Sequence, residues 1–177
     1  NVNNRHNIGF KIIDAVNAHF KLSKQKPKFK GLLTTGNIES KKIYAIKPLT
    51  FMNNSGTAIK ELIDYFKIDA KNVFVFHDDM DIDFGKIKAK FGGSSAGHNG
   101  INSIDKFIGK DYSRIRIGIG HPKQKNKVNN HVLEDFKEDE EEKIKEIAES
   151  IVKLIPTLIE KKMDLFSSKV NQNLNGI

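Results

Sequence analysis

Residues 73–76 read VFVF, a short run with no polar residue in it. A half-buried strand alternates and an amphipathic helix keeps a polar stripe, so this run predicts a strand buried on both faces. Such a strand needs packed layers on either side, and the rest of the chain is patterned to supply them. KKIYAIKP at 41–48 reads as a strand ended by Pro48. GKIKAKF at 85–91 alternates Ile87, Ala89 and Phe91 with Lys86, Lys88 and Lys90, giving a strand with one basic face. IRIGIG at 115–120 alternates again, with glycines where a strand meets a close neighbour.

Between these strands the period changes to that of a helix. Phe10, Ile13, Val16 and Phe20 predict a helix from about Gly9 to Leu22. Ser55 is placed to cap a helix bearing Ile59, Leu62, Ile63 and Phe66. Ile101, Ile104, Phe107 and Ile108 define another. Ile144, Ile147, Ile151, Leu154, Leu158 and Ile159 define a long one, kinked at Pro156. SKQKPKFKG after the first helix reads as a basic loop, TFMNNSG as a turn, and HPKQKNKVNN as a polar loop before the acidic run EDFKEDEEE. Without repeats or a long low-complexity linker, strands alternating with helices predict one α/β domain over residues 1–177.

The composition narrows the chemistry. Without cysteine there is no disulfide, no thiolate zinc site and no cysteine nucleophile, and a reducing cytosol is compatible. No apolar run approaches the roughly 18–20 residues that cross a bilayer. A formal charge of +8 favours a polyanionic partner, of which nucleic acid is the commonest. The same excess also fits a lysine-rich chain that uses Lys for solubility, and charge alone does not separate the two.

Three histidines have suggestive neighbours: His6 in NNRHNIGF, His77 in FHDDMDID and His98 in AGHNG. His19 and His131 read as surface or packing residues, and His121 before Pro122 either lines a site or closes a turn. Asp79, Asp81 and Asp83 imitate the start of a calcium loop. Phe84, however, stands at the position of the sharp-turn glycine, and Lys90 replaces the closing glutamate. A magnesium site at Asp78 and Asp79 lacks any accompanying phosphate-binding GxxxxGK[ST] loop. No metal site is therefore expected. Open α/β sheets bind ligands beyond the carboxyl ends of their strands, which makes the end of FVFHDD an address for a functional carboxylate. The plainer alternative is a carboxylate that caps a loop.

FGGSSAGHNGINSI at 91–104 sets small residues before His98-Asn99 at the mouth of a helix. The unpaired N–H groups of a helix start suit an anion or a developing oxyanion, and the glycines let backbone approach a ligand or move. A simple Asn or Ser cap explains one polar residue there but not the cluster. A Ser–His hydrolase using Ser94 or Ser95 would lack the GxSxG elbow.

RHNIGF (5–10), KPLTFMNNSG (47–56), HDDMDIDFGKIKAKFGGSSAGHNGINSI (77–104) and YSRIRIGIGHP (112–122) together resemble the bacterial peptidyl-tRNA hydrolase family. They occur in the family's order and approximate spacing, and four such segments in register are specific. The C-terminal third matches in character only, as a loop and then a helix. The resemblance implies a mixed, twisted β-sheet flanked by helices. It also implies a cytoplasmic, monomeric esterase that cuts peptide from tRNA without metal or cofactor. By the same resemblance His6 is the base that activates water and Asp78 the carboxylate that holds and polarises it. Asn53 and Asn99 correspond to amides that place the water, the peptide carbonyl and the terminal adenosine, and Phe51 and Met52 to the wall near that adenosine. Lys90 and Arg116 correspond to a basic pair gripping the tRNA 5′-phosphate, and His98 to a supporting residue.

The family normally begins with an apolar strand and a Gly-Asn-Pro-Gly loop before RHN, whereas this sequence opens at NVNNRHN. The expectation is that this strand and loop precede residue 1. GGSSAGHNG stands for the family's GGGxGGHNG, and Asp83-Phe84 for its usual prolines. Two rival classes remain. A non-catalytic RNA-binding module on this scaffold would not need His6, Asp78, Asn53 and Asn99 together. A small-molecule esterase would not need the lysine-bearing strand and Arg116.

Overall fold

A computed structural model describes residues 7–51, 54–121 and 137–175. The chain opens with helix α1 (Ile8–His19), followed by strands β1 (Lys26–Lys28), β2 (Gly31–Ile38) and β3 (Lys41–Pro48). Helix α2 (Ser55–Phe66) leads to strands β4 (Phe74–Asp79) and β5 (Ile87–Phe91), helix α3 (Asn99–Ile108) and strand β6 (Ser113–Gly118). Helices α4 (Glu138–Lys153), α5 (Ile155–Ile159) and α6 (Met163–Leu174) complete the described part. By proximity the chain divides into two compact units, one of Asn1–Ala15, Val75–Lys90 and Arg114–Ile177, the other of Val16–Phe74 and Phe91–Ser113.

The first unit is organised on a mixed sheet of order β4-β6-β5. Ser113 N–H donates to Val73 O and Ile119 N–H to Asp79 O, the same offset in the same direction, so β4 and β6 run parallel. Gly118 N–H reaches Lys86 O while Gly92 N–H reaches Tyr112 O, which makes β5 antiparallel to β6. The close neighbour expected at the IRIGIG glycines is real: a Cβ on Gly118 would lie 2.1 Å from Asp83 O. Ile115, Ile117 and Ile119 are buried, as are Ile87 and Ala89, while Lys88 and Lys90 face solvent. Phe91 departs from that alternation at 46% exposed, because β5 ends there and Gly92 turns the chain with φ 72°.

The edge of β5 is closed by side chains of α6. Asn171 Oδ1 accepts from Ile87 N–H at 3.0 Å and its Nδ2 donates to Ile87 O at 2.9 Å, while Ser167 Oγ accepts from Ala89 N–H at 2.8 Å. A row of strand donors and acceptors is thus satisfied without another strand. Helix α4 starts in the acidic run, with Glu138, Asp139, Glu140 and Glu141 in its first turn, where carboxylates suit the positive dipole end. Glu140 reaches back to accept from Lys137 N–H at 2.9 Å. The long kinked helix expected over Ile144–Ile159 is two helices. The chain breaks at Leu154, and Pro156 sits in the first turn of α5, where its missing N–H costs nothing.

The second unit contains the antiparallel sheet β1-β2-β3, with Leu33 opposite Ile46 and Thr34 opposite Ala45. The segment expected to be a basic loop holds the edge strand β1, whose Lys-Pro-Lys sequence hides any apolar alternation. Proline and lysines are suited to such an edge, where they discourage further pairing. Helices α2 and α3 pack through Gly56, whose N–H donates to the buried Ser103 Oγ at 2.9 Å. Asn54, not Ser55, occupies the N-cap of α2, and Ser55 is its first helical residue.

Candidate functional site

In the first unit, β4 inverts the burial expected of its sequence. The apolar residues Phe74–Phe76 are only partly covered, whereas His77, Asp78 and Asp79 are 9%, 4% and 8% exposed. Burying polar groups is costly unless they are bonded, so a buried His-Asp-Asp run at a strand's carboxyl end is kept for a reason other than packing. His77 Nδ1–H donates to Asp78 O at 2.9 Å.

Asp79 is committed on both oxygens. Oδ2 accepts from Arg116 Nε at 2.6 Å and Oδ1 from Asp81 N–H at 2.8 Å. Asp81 Oδ1 in turn accepts from His121 Nε2 at 2.7 Å, both side chains being largely exposed. The aspartates that imitated a calcium loop are thus an anchor for Arg116, at Asp79, and for His121, at Asp81. The sequence offered no sign of either pairing, because the partners are 37 and 40 residues away. No group of three or more potential metal ligands occurs among the described residues.

Helix α1 meets β4 close to this run. Gly9 is buried, and a Cβ there would lie 2.3 Å from Phe76 O, so only glycine lets the first turn of α1 lie against the strand. The glycine of RHNIGF is therefore a contact residue. Lys90 stands on the outer face of β5.

In the second unit, His98 is the N-cap of α3, and its Nδ1 accepts from Ile101 N–H at 3.2 Å. It therefore does the work expected of an Asn or Ser cap. Asn99 follows as the first helical residue and is exposed. The small-residue run before it bends through positive φ at Gly92, Gly93, Ala96 and Gly97. Phe51 is 83% exposed and, with Lys30, Leu49, Thr50, Asn54 and Thr57, lines an open groove of about 490 Å³. The buried Thr50 Oγ1 at that groove has no hydrogen-bond partner among the described residues. His6, Met52 and Asn53 lie outside the described residues.

Comparison with known proteins places these features in context. The model of the family described as peptidyl-tRNA hydrolase matches residues 2–176. The peptidyl-tRNA hydrolase of Pelagibacter ubique is 72% identical over 169 residues, covering 96% of this chain and 91% of that protein. That of Bartonella henselae is 45% identical over 174 residues, covering 98% and 90%. The crystal structure of peptidyl-tRNA hydrolase from Acinetobacter baumannii is similar with a TM-score of 0.88 at 30% identity, over 96% of this chain and 87% of that one.

Proposed function

The chain belongs to the peptidyl-tRNA hydrolase family, hydrolases acting on an ester bond, and from that premise we propose how its residues divide the work on peptidyl-tRNA. The scissile bond joins the peptide to a ribose hydroxyl, a fair leaving group, so a positioned water, one base and polarising donors suffice. His6 takes a proton from that water as it attacks the carbonyl carbon. The tetrahedral oxyanion then collapses, expelling the ribose oxygen, which takes up the proton carried by His6. Asp78 holds the imidazole in the required tautomer and stabilises its cationic form. A base of this kind contributes ~10²–10⁴-fold in rate, and oxyanion donors and proximity supply the rest.

Asn53 and Asn99 supply the amides that place the water and the carbonyl, and His98 supports Asn99 as the cap of its helix. Phe51 and Met52 offer apolar contact to the terminal adenosine. Lys90 and Arg116 take the 5′-phosphate, a contact that adds affinity without reading sequence, as an enzyme serving many tRNAs needs. The protein acts in the cytoplasm as a monomer. Among the described residues no helix is long and apolar enough to cross a membrane.

The observation that carries this reading is the contact between α1 and β4. Gly9 lies against Phe76; His6 is three residues before the first, and the buried Asp78 two residues after the second. Three residues of chain reach at most ~11 Å, so the sequence spacing allows the two catalytic candidates to meet there. The test is release of N-acetylaminoacyl groups from tRNA by wild type, His6→Ala and Asp78→Asn. His6→Ala is expected to lose about 10²–10⁴-fold in kcat. Equal release by wild type and His6→Ala would refute the mechanism, and release by neither would point to a protein that only binds RNA.

A further inference from the structure

Arg116 is the cation proposed above to meet a phosphate, and the residue that anchors it in the first unit, Asp79, has no part in that reading. Its guanidinium is held edge-on by Asp79, which is 7% exposed in its side chain while Arg116 is 26% exposed. The bond uses Nε at 2.6 Å, so the carboxylate engages the stem side of the guanidinium, and the Nη donors have no hydrogen bond among the described residues. Asp79 is itself immobilised. It is a residue of β4, its backbone O accepts from Ile119 N–H, and its second carboxylate oxygen accepts from Asp81 N–H. Arg116 leaves the neighbouring strand β6, so a rigid sheet carries both the cation and the group that aims it.

We propose that Asp79 is a positioning residue for tRNA, fixing the guanidinium of Arg116 so that its Nη edge is presented to the 5′-phosphate; this rests on the phosphate-binding role of Arg116 in the preceding reading. A free arginine has several rotatable bonds and must be ordered on binding, whereas one tied at Nε meets the anion in place. A carboxylate is required for a further reason of valence. Asp79 accepts two hydrogen bonds from two N–H donors, one on each oxygen. An amide has a single oxygen, and its NH₂ would confront whichever N–H it faced. Asp79→Asn therefore keeps the turn at Asp81 or the hold on Arg116, but not both. Asp79→Glu keeps both oxygens.

The experiment compares N-acetylaminoacyl-tRNA carrying a 5′-phosphate with the same RNA after the phosphate is removed. It uses wild type, Arg116→Ala, Asp79→Asn and Asp79→Glu. Wild type is expected to prefer the phosphorylated substrate in kcat/KM. Arg116→Ala is expected to abolish the preference, and Asp79→Asn to cut it about three- to tenfold through KM, with kcat on both substrates within about twofold of wild type. Asp79→Glu is expected to recover most of it. Asp79→Asn lowering kcat equally on both substrates would overturn the proposal in favour of a purely structural role, as would an intact preference in a variant set where Arg116→Ala has lost it. If Asp79→Asn does not fold, loss of the preference in a folded Asp79→Glu decides against the proposal and its retention decides for it. Preference undiminished in Arg116→Ala would overturn the phosphate role of Arg116 itself, and this proposal with it.

Discussion

Substituting Gly9 by alanine tests whether the junction of α1 and β4 sets the geometry of catalysis. The new Cβ would stand 2.3 Å from Phe76 O and 3.2 Å from Phe76 C. Rotation of a side chain cannot relieve this, because the obstacle is strand backbone and Gly9 belongs to the first turn of α1. A carbon–oxygen contact relaxes near ~3.3 Å, so helix and strand must part by about 1 Å. Overpacking of that order costs about 1–3 kcal/mol, which for a chain of this size lowers Tm by roughly 2–12 °C. Since native stability totals only about 5–15 kcal/mol, the variant should fold but be measurably weaker. The kinetic effect should be larger, because displacing a catalytic group by ~1 Å can cost up to ~10²-fold in rate. Thermal unfolding followed by circular dichroism, with kcat measured well below the variant's Tm, separates the two effects. An unchanged Tm would show that the contact is not tight. A lowered Tm with wild-type kcat would show that this junction does not position His6 and Asp78.

Other positions give independent checks. Asn171→Ala strips both side-chain bonds from Ile87 and is expected to cost about 2 kcal/mol, read as a lower urea midpoint; a change below about 0.5 kcal/mol would mean the strand edge finds water instead. Ala96 holds φ 49°, a left-handed conformation that costs an L residue about 1–2 kcal/mol. The greater freedom of an unfolded glycine offsets about 0.4–1 kcal/mol of this, so Ala96→Gly should stabilise by up to about 1.6 kcal/mol, and clear destabilisation would contradict the sign. Lys90→Ala should raise KM with kcat within about twofold, and reduce the slope of log kcat/KM against log salt by about 1. A large fall in kcat at unchanged KM would remove Lys90 from substrate capture.

Most of the strands and helices were legible along the chain because each buried face repeats with its own period, whereas β2 and α6 were not read from it. Ile87 and Ala89 against Lys88 and Lys90, or Ile115 and Ile117 in β6, declare their orientation locally. The residues proposed for chemistry were legible too, as His6, Asp78, His98 and Asn99 stand in short segments that resemble a known family. Edges and partners were not. β1 is recognisable as a strand only through its pairing with β2. The glycine of RHNIGF gains its meaning from Phe76, and Asp79 from Arg116. A period is a property of neighbours along one chain segment, which sequence alone determines. Aiming a cation by a carboxylate 37 residues away is a property of strand order, and only the tertiary structure decides it.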